Sequence, residues 1–343
     1  MKTQNLRFGE AVKYLANIAG MQPYMFTKQD EEREQKWKEY LSIYSSYVDF
    51  YHEELLKNAK YSNARDYLKS RSLGKNEVKK FKIGFIDKNP SFFNRLKNKF
   101  SEKTLLESGL FFFDEKKKII IERFRGRLIF PINNISGQPI ALGGRIIENL
   151  DYLAKYINSP ETPFFKKGSN LYNLDQARKL SNKLDHIFLV EGYMDVVGLS
   201  KNEIENVVAN LGTSLTDKQI LVLNQFFDDI IICFDGDESG YKAALRAAEN
   251  SIKELKPEKQ ISFLFLPNKE DPDSYVNKNG KANFFNFYFE IQNFLAQSVP
   301  LPDEYGLNRT EDGELILPLN LVEVNTGENN DIPIPSFGFV IDF

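Results

Sequence analysis

The segment IFLVEGYMD at residues 187–195 decides the fold, together with IICFDGDESG at 231–240 and EDPD at 270–273. The first two segments begin with a compact apolar run and end in carboxylates, and the third follows the apolar run at 261–266. Runs this short and this apolar fit strands that are buried on both faces of a parallel sheet. Because the carboxyl ends of parallel strands face one crevice, we expect these carboxylates to converge there.

Carboxylates gathered at one sheet edge predict a binding site for divalent cations. Like charges held close together repel and raise one another's pKa unless a cation lies among them. Mg2+ accepts a few carboxylates and keeps its other positions for water or phosphate oxygens. Two such ions can hold the attacking and leaving oxygens of a phosphoryl transfer. Asp and Gly also favour turns, so Asp235-Gly236-Asp237 by itself fits a plain turn equally well, whereas its combination with the other two acidic segments favours a metal site.

These segments resemble the toprim domain of bacterial DNA primase. The resemblance rests on Glu-Gly-Tyr-Met-Asp-Val at 191–196, Leu-Gly-Thr-Ser-Leu-Thr at 211–216, the Phe-Asp-Gly-Asp run at 234–237 and Glu-Asp-Pro-Asp at 270–273. Toprim folds also occur in topoisomerases, nucleases and recombination proteins, so the acidic pattern alone indicates only a superfamily. The longer matches at 190–196 and 209–214 resemble the primase version.

The resemblance implies roles for the acidic residues. Glu191, Asp235 and Asp237 are the expected catalytic residues. The expected metal ligands are Glu191, Asp195, Asp235, Asp237, Asp271 and Asp273. The expected cofactor is Mg2+ or Mn2+. Zinc is not expected, because the chain has one cysteine and two histidines, too few for a cysteine or histidine zinc cluster. The single cysteine, Cys233, lies inside a predicted core strand, where a buried apolar role is expected.

A second group of motifs resembles the primase basic motif, which faces the toprim site and contacts nucleotide or nascent primer. It consists of Lys-Tyr-Ile-Asn-Ser-Pro-Glu-Thr at 155–162 and Phe-Lys-Lys-Gly at 165–168. The nucleotide- or nucleic-acid-binding residues expected from it and from the motifs upstream are Arg123, Arg125, Arg145, Lys155, Asn158 and Lys167. Lys166 stands one position away from the usual lysine, and we expect it to be dispensable. Another departure is Ser72, which replaces a usual glycine, so that a turn of positive φ there would be strained.

Charge is distributed unevenly along the chain, whose formal net charge is −3. Residues 64–127 carry eighteen Lys or Arg against eight Asp or Glu, whereas residues 299–343 carry one Arg against nine acids. A local basic surface is what a phosphate backbone requires, although Lys-rich segments are also common as solvated faces. Beside a metal-type acidic site, the basic stretch favours contact with nucleic acid, and the resemblance implies that this partner is single-stranded DNA.

The expected fold class is α/β: an α+β N-terminal subdomain followed by a toprim domain with a central, mostly parallel sheet flanked by helices. We predict a helical linker at 1–36, a basic N-terminal subdomain at 37–184, a toprim catalytic domain at 185–295 and an acidic, Pro-rich tail of unknown role at 296–343. The family's zinc-binding and helicase-binding domains are not found in this sequence, so the replicative helicase is a partner of the family only. No apolar run is long enough to span a bilayer and no signal-peptide pattern occurs, so we expect a cytoplasmic location and no membrane partner.

The leading functional hypothesis is a DNA-directed RNA polymerase, a nucleotidyltransferase that makes short primers on single-stranded DNA from ribonucleoside triphosphates. The first alternative is a toprim nuclease or topoisomerase that uses the same metals to break a phosphodiester bond. The second is a truncated, non-catalytic remnant that binds nucleic acid or helicase partners. Synthesis, cleavage, or binding without either reaction would distinguish the three.

Overall fold

The computed structural model describes residues 14–20, 27–148, 152–212, 214–251, 259–267 and 269–298, with side chains as far as residue 285 apart from residue 249. The predicted tail beyond residue 298 and the first thirteen residues of the predicted linker lie outside these described residues. The chain divides into two compact units, residues 1–166 and 167–343, and each is taken by itself below. The four-part division with a border at 184/185 stays a prediction.

The first unit mixes helices with antiparallel strands. Its helices are α1 (Lys28–Lys57), α2 (Ser62–Ser70), α3 (Lys75–Lys80), α4 (Phe93–Leu96) and α5 (Glu102–Glu107), with a 3-10 turn at Ala59–Tyr61. Its strands are β1 (Gly84–Ile86), β2 (Phe111–Asp114), β3 (Ile119–Glu122), β4 (Arg127–Asn133), β5 (Pro139–Ile146) and β6 (Tyr156–Asn158). A four-stranded sheet has the order β1-β4-β5-β6, and β2 and β3 form a separate hairpin.

Helix α1 supplies one wall of this unit's core. Thr27 caps its N-terminus in a capping box with Asp30, which satisfies the first free N–H groups. Apolar and aromatic residues at helical spacing face inward and are buried: Tyr40, Ile43, Tyr44, Tyr47, Val48, Tyr51 and Leu55. The tyrosine hydroxyls of this face have buried partners. Those of Tyr47 and Tyr51, for example, donate to Oε2 of Glu122 at 2.9 and 2.7 Å. The aromatic stripe is therefore core packing, with polar ends satisfied inside the unit.

The second unit alternates strands and helices. Its strands are β7 (His186–Val190), β8 (Val207–Ala209), β9 (Asp229–Phe234) and β10 (Gln260–Phe265). Its helices are α6 (Leu174–Ala177), α7 (Tyr193–Lys201), α8 (Asp217–Leu223), α9 (Glu238–Ser251) and α10 (Pro272–Ser298), with 3-10 turns at Lys167–Ser169 and Arg178–Leu180.

The four strands of the second unit form one parallel sheet in the order β10-β9-β7-β8. Strands β7 and β9 are central and apolar along their length, as the sequence predicts for strands covered on both faces. Ile187, Leu189, Ile230 and Ile232 pack into a core with α8 and α9. The predicted α/β class, with a helical and antiparallel first part and a mostly parallel sheet in the second, is confirmed. Edge strand β8 was not predicted, because its three residues are too short to show a period.

Shortly after three of the described helices, the chain passes through a residue with a left-handed backbone conformation, a position where glycine is usual. Ser72, Lys82 and Glu203 have φ of 58°, 47° and 63°. At the end of α2, the Ser72 N–H donates to the carbonyl of Lys69 (2.8 Å) and the Leu73 N–H to that of Leu68 (2.9 Å). This pair of bonds is the Schellman motif, so Ser72 stands in the positive-φ position that glycine usually occupies.

Cys233 is fully buried in β9, as predicted. Across the parts of the chain with described structure, none of the helices has the length and apolar character needed to cross a lipid bilayer.

Candidate active site

The carboxylates of the second unit follow the carboxyl ends of its strands. Glu191 comes directly after β7 and Asp235 directly after β9. Asp271 and Asp273 lie at the start of α10, which follows β10 in the chain. Since the strands are parallel, these ends share one edge of the sheet.

Two glycines allow the loop after β9 to fold tightly against its neighbour. The Gly236 N–H donates to the carbonyl of Glu270 (2.9 Å), which joins the Asp-Gly-Asp and Glu-Asp-Pro-Asp segments. A Cβ on Gly236 would lie 2.4 Å from the backbone oxygen of Pro267, and one on Gly240 would lie 2.1 Å from that of Asp235. No side chain fits in such contacts, so the spacing Asp-Gly-Asp-x-x-Gly is a packing requirement as well as a chemical one.

Glu191 and Asp235 are linked by a hydrogen bond. The backbone N–H of Asp235 donates to Oε1 of Glu191 at 3.2 Å, which connects the ends of β7 and β9. Burial raises the pKa of Glu191 above its ordinary value. The Asp235 N–H acts in the opposite direction, and the charge of Asp237 adds to the increase. Glu191 therefore holds a proton more readily than an exposed glutamate does.

Asp195 and Asp237 occupy contrasting environments. Asp195 lies buried in the first turn of α7 and accepts the Gly192 N–H at 3.0 Å. Burial, and next the charges of Asp235, Asp271 and Asp273, raise the pKa of Asp195 well above its ordinary value. Asp237 is exposed and accepts the Gly240 N–H at 2.8 Å, and this bond lowers its pKa. Four carboxylates therefore influence one another at this edge, while Asp237 remains charged.

The remaining two carboxylates are tied into helix α10. Oδ1 of Asp271 accepts the Ser274 N–H at 2.6 Å, which is the geometry of a helix cap. Asp273 is 5% exposed and accepts from Nδ2 of Asn277 at 2.6 Å. Its carboxylate also packs against Gly198 of α7, where an added Cβ would lie 2.0 Å from Oδ1 of Asp273. These contacts give both residues structural roles in addition to the expected metal ligation.

The donor set suits a hard divalent cation. In the described portion of the chain, no three His, Cys, Asp or Glu side chains are close enough to bind one ion together. Mg2+ commonly takes one or two protein carboxylates and completes its shell with water and substrate phosphates. Burial raises the pKa of Asp195 most, and repulsion from the neighbouring aspartates adds to the increase; a bound cation would relieve that repulsion. Carboxylate oxygens near one edge are donors that suit Mg2+ or Mn2+, whereas zinc favours sulfur and nitrogen.

The expected basic residues lie in the first unit, apart from Lys167. Arg123 and Arg125 place their guanidinium groups 5.4 and 5.9 Å from the centre of the Phe112 ring. Arg125 is exposed, whereas the Nε of half-buried Arg123 donates to the carbonyl of Gly109 at 2.8 Å. The guanidinium groups of Arg123 and Arg125 thus both lie near the Phe112 ring of β2.

Arg145 and Asn158 lie on neighbouring strands, and Lys155 directly precedes the second of them. Arg145 on β5 is opposite Tyr156 on β6, and Asn158 is opposite Gly143. The Lys155 side chain is exposed, and its Nζ lies 5.9 Å from the centre of the Tyr156 ring. The sequence does not predict that Arg145 and Asn158 lie in one sheet. Nor does it predict that the Tyr156 ring lies near the cations of both Arg145 and Lys155.

Lys166 and Lys167 have different surroundings. Nζ of Lys166 forms an ion pair with Glu161 at 3.2 Å, and the dispensable role of this lysine stays a prediction. Lys167 is half-buried in the second unit, where its carbonyl accepts from Nε2 of Gln219 at 3.1 Å. That the basic residues face the carboxylates stays a prediction.

Comparison with known proteins agrees with this geometry. Residues 185–265 match the model of the Toprim domain, and residues 50–178 match that of the DNA primase catalytic core, N-terminal domain. The fold and site therefore define a toprim protein. A DNA primase domain from Pseudomonas aeruginosa is 36% identical with a TM-score of 0.69, and the match covers 77% of this chain and 85% of that one. The chain belongs to the DNA primase family.

Further relatives give the extent of the similarity. The DNA primase of Neisseria meningitidis is 37% identical over 319 residues, which are 91% of this chain and 52% of the relative. A primase catalytic domain solved bound to ssDNA is 34% identical with a TM-score of 0.67, covering 78% of this chain and 86% of that chain. The chain thus spans about half the length of the curated relatives that it matches.

Proposed function

We propose that this chain is a DNA-directed RNA polymerase, a nucleotidyltransferase that synthesises short RNA primers on single-stranded DNA. The observation that carries the proposal is the convergence of carboxylates at one end of the parallel sheet, seen in the Glu191–Asp235 hydrogen bond and in the electrostatic influence of three aspartates on Asp195. Family membership favours this reaction over a nuclease or a non-catalytic remnant, and the primase catalytic domain bound to ssDNA supports the template class.

In the proposed reaction, the 3′-hydroxyl of one ribonucleotide attacks the α-phosphorus of the next, and pyrophosphate leaves. Mg2+ or Mn2+ would supply charge neutralisation at the phosphates and a lowered pKa for the attacking hydroxyl. Asp235, Asp237 and Asp271 would hold the metal ions between them, with Asp195 and Asp273 completing the acidic ring.

Glu191 would accept the proton of the attacking hydroxyl at Oε2. Its other oxygen is held by the Asp235 N–H, so the carboxylate has a fixed orientation. Its pKa is raised by burial, which makes the carboxylate a better base than an exposed one. Ligation of the metal is the second role that we propose for this residue.

The basic residues would bind the polyanionic reactants. Arg123, Arg125, Arg145 and Lys155 would contact the template or primer backbone, while Lys167 and Asn158 would bind nucleotide. Binding of this kind is mainly electrostatic and shows a strong dependence on salt. A cytoplasmic location and the replicative helicase as a partner of the longer relatives stay predictions.

The test uses single-stranded DNA, four ribonucleoside triphosphates and Mg2+ or Mn2+, with products resolved by length. We expect short oligoribonucleotides from the wild-type chain and a loss of at least about 100-fold in Asp235→Asn, because a ligand that acts on the transition state is weakened. Asp217→Asn is the matched control, since Asp217 is an exposed carboxylate on α8 of the same unit and should leave synthesis unchanged.

Two results would overturn the proposal. Cleavage of the DNA without synthesis would favour the nuclease alternative, and DNA binding without either reaction at all metal concentrations would favour the remnant. Mn2+ binding followed by electron paramagnetic resonance separates the site from the reaction, because Asp235→Asn should weaken Mn2+ binding even where synthesis is not measured.

A further inference from the structure

Arg145 is a charged residue in an enclosed position. Its side chain lies on β5 and the residue is only 5% exposed. Among the described residues, Arg145 takes part in no ion pair, and its buried Nε has no hydrogen-bond partner. A buried cation without a carboxylate is costly unless other contacts compensate.

Two tyrosine rings provide those contacts. The centre of the Arg145 guanidinium lies 5.0 Å from the centre of the Tyr156 ring and 5.5 Å from that of Tyr67. The Tyr156 hydroxyl also accepts a hydrogen bond from Nη1 of Arg145. A guanidinium group is weakly hydrated and stacks well on aromatic rings, so the two rings replace part of its lost hydration.

The Tyr67 side chain is held in place by its helix. Tyr67 belongs to α2, whose Ala64 and Leu68 are buried in the unit core. The carbonyl of Tyr67 accepts from Oγ of Ser70 at 2.7 Å in the last turn. The ring is therefore presented by a packed helix, whereas Tyr156 lies on a strand of the sheet. A ring on a fixed support limits the rotamers of the arginine that stacks on it.

We propose that Tyr67 is a positioning residue for Arg145, and that its ring holds the guanidinium ready for a phosphate group of the bound nucleic acid strand. The inference rests on the proposed function of Arg145. An aromatic ring contributes no competing charge, so the guanidinium keeps its attraction for an anion, and the N–H groups that do not bond the Tyr156 hydroxyl are the ones that would meet a phosphate. A carboxylate in the same place would instead compete with the phosphate.

The experiment measures binding of a fluorescein-labelled oligo(dT) by anisotropy over a range of salt concentrations. Tyr67→Leu removes the π-system and keeps apolar volume, and we expect about 3- to 30-fold weaker binding. Its salt slope should match the wild type, because no cation is lost. Arg145→Ala should weaken binding and reduce the slope by about 1. Tyr67→Phe retains the ring and should retain wild-type affinity.

The chain offers a matched control. Nζ of Lys60 lies 5.8 Å from the centre of the Tyr61 ring, but this cation is already paired with Asp87. Tyr61→Leu therefore removes a tyrosine–cation contact whose cation is neutralised, and it should leave affinity unchanged.

Nuclear magnetic resonance tests the ring contact first in the wild-type chain and then in the two Tyr67 variants. The Nε–H resonance of Arg145 should be shifted upfield by the two rings in the wild-type chain, relative to that of exposed Arg33. The shift should diminish in Tyr67→Leu and persist in Tyr67→Phe. An unshifted wild-type resonance, wild-type DNA affinity of Tyr67→Leu, or loss of affinity in Tyr67→Phe would each overturn the inference. Unchanged affinity and slope in Arg145→Ala would instead contradict the proposed function of Arg145 itself.

Discussion

Replacing Ser72 with glycine should stabilise the first unit. Ser72 is exposed, its φ is 58°, and its side chain makes no hydrogen bond to any described group. An L-residue in this conformation costs about 1–2 kcal/mol, which glycine avoids. Glycine also has more conformational freedom in the unfolded chain, which lowers the free energy of unfolding by about 0.5–1 kcal/mol. The net expectation for Ser72→Gly is a gain of about 0.5–1 kcal/mol in the free energy of unfolding.

Urea unfolding followed by tryptophan fluorescence measures this gain in the first unit, to which Ser72 belongs. Trp37 is the only tryptophan of the chain and lies on α1 of the same unit. The midpoint should rise while the slope m stays constant, since the surface exposed on unfolding is unchanged. For a unit of this size the melting temperature should rise by about 1–4 °C.

Two control substitutions separate backbone strain from helix propensity. Ser72→Ala keeps a Cβ in the left-handed conformation, so it should bring no gain. Ser70→Gly lies in the last turn of α2 and should lose about 0.5–1 kcal/mol. If Ser72→Gly left the midpoint unchanged or lowered it, with m constant, the reasoning from positive φ would be refuted.

Three further predictions concern the buried acid, the metal loop and the lysines. Burial raises the pKa of Glu122, so its contribution to stability is present below the ordinary carboxyl pKa and is lost as pH rises through the raised value. Melting temperatures at about pH 4 and about pH 8 should therefore differ less in Glu122→Gln than in the wild type. Gly240→Ala should weaken Mn2+ binding in the paramagnetic resonance assay, since its Cβ would meet the Asp235 carbonyl at 2.1 Å. Lys155→Ala and Lys167→Ala should each reduce the salt slope of DNA or nucleotide binding by about 1, and unchanged slopes would reassign both lysines to ordinary surface.

The amino-acid sequence determined the parallel sheet and the position of its acidic edge. The apolar runs before Glu191 and Asp235 are strongly patterned, and the parallel direction of such strands places their following residues at one edge. The β4–β5 hairpin and the buried aromatic stripe of α1 likewise depend on neighbours that are close along the chain.

Tertiary structure decided what depends on residues distant in sequence. Tyr67 and Arg145 are 78 positions apart, and no local pattern marks the ring as a partner of the guanidinium. The packing of Asp273 against Gly198 is equally invisible in the sequence, although it fixes which residue may occupy position 198. Strand β8 is set by its pairing with β7, since three residues carry no periodicity of their own. Contacts of this kind follow from how packed elements meet, which a linear pattern of residues does not contain.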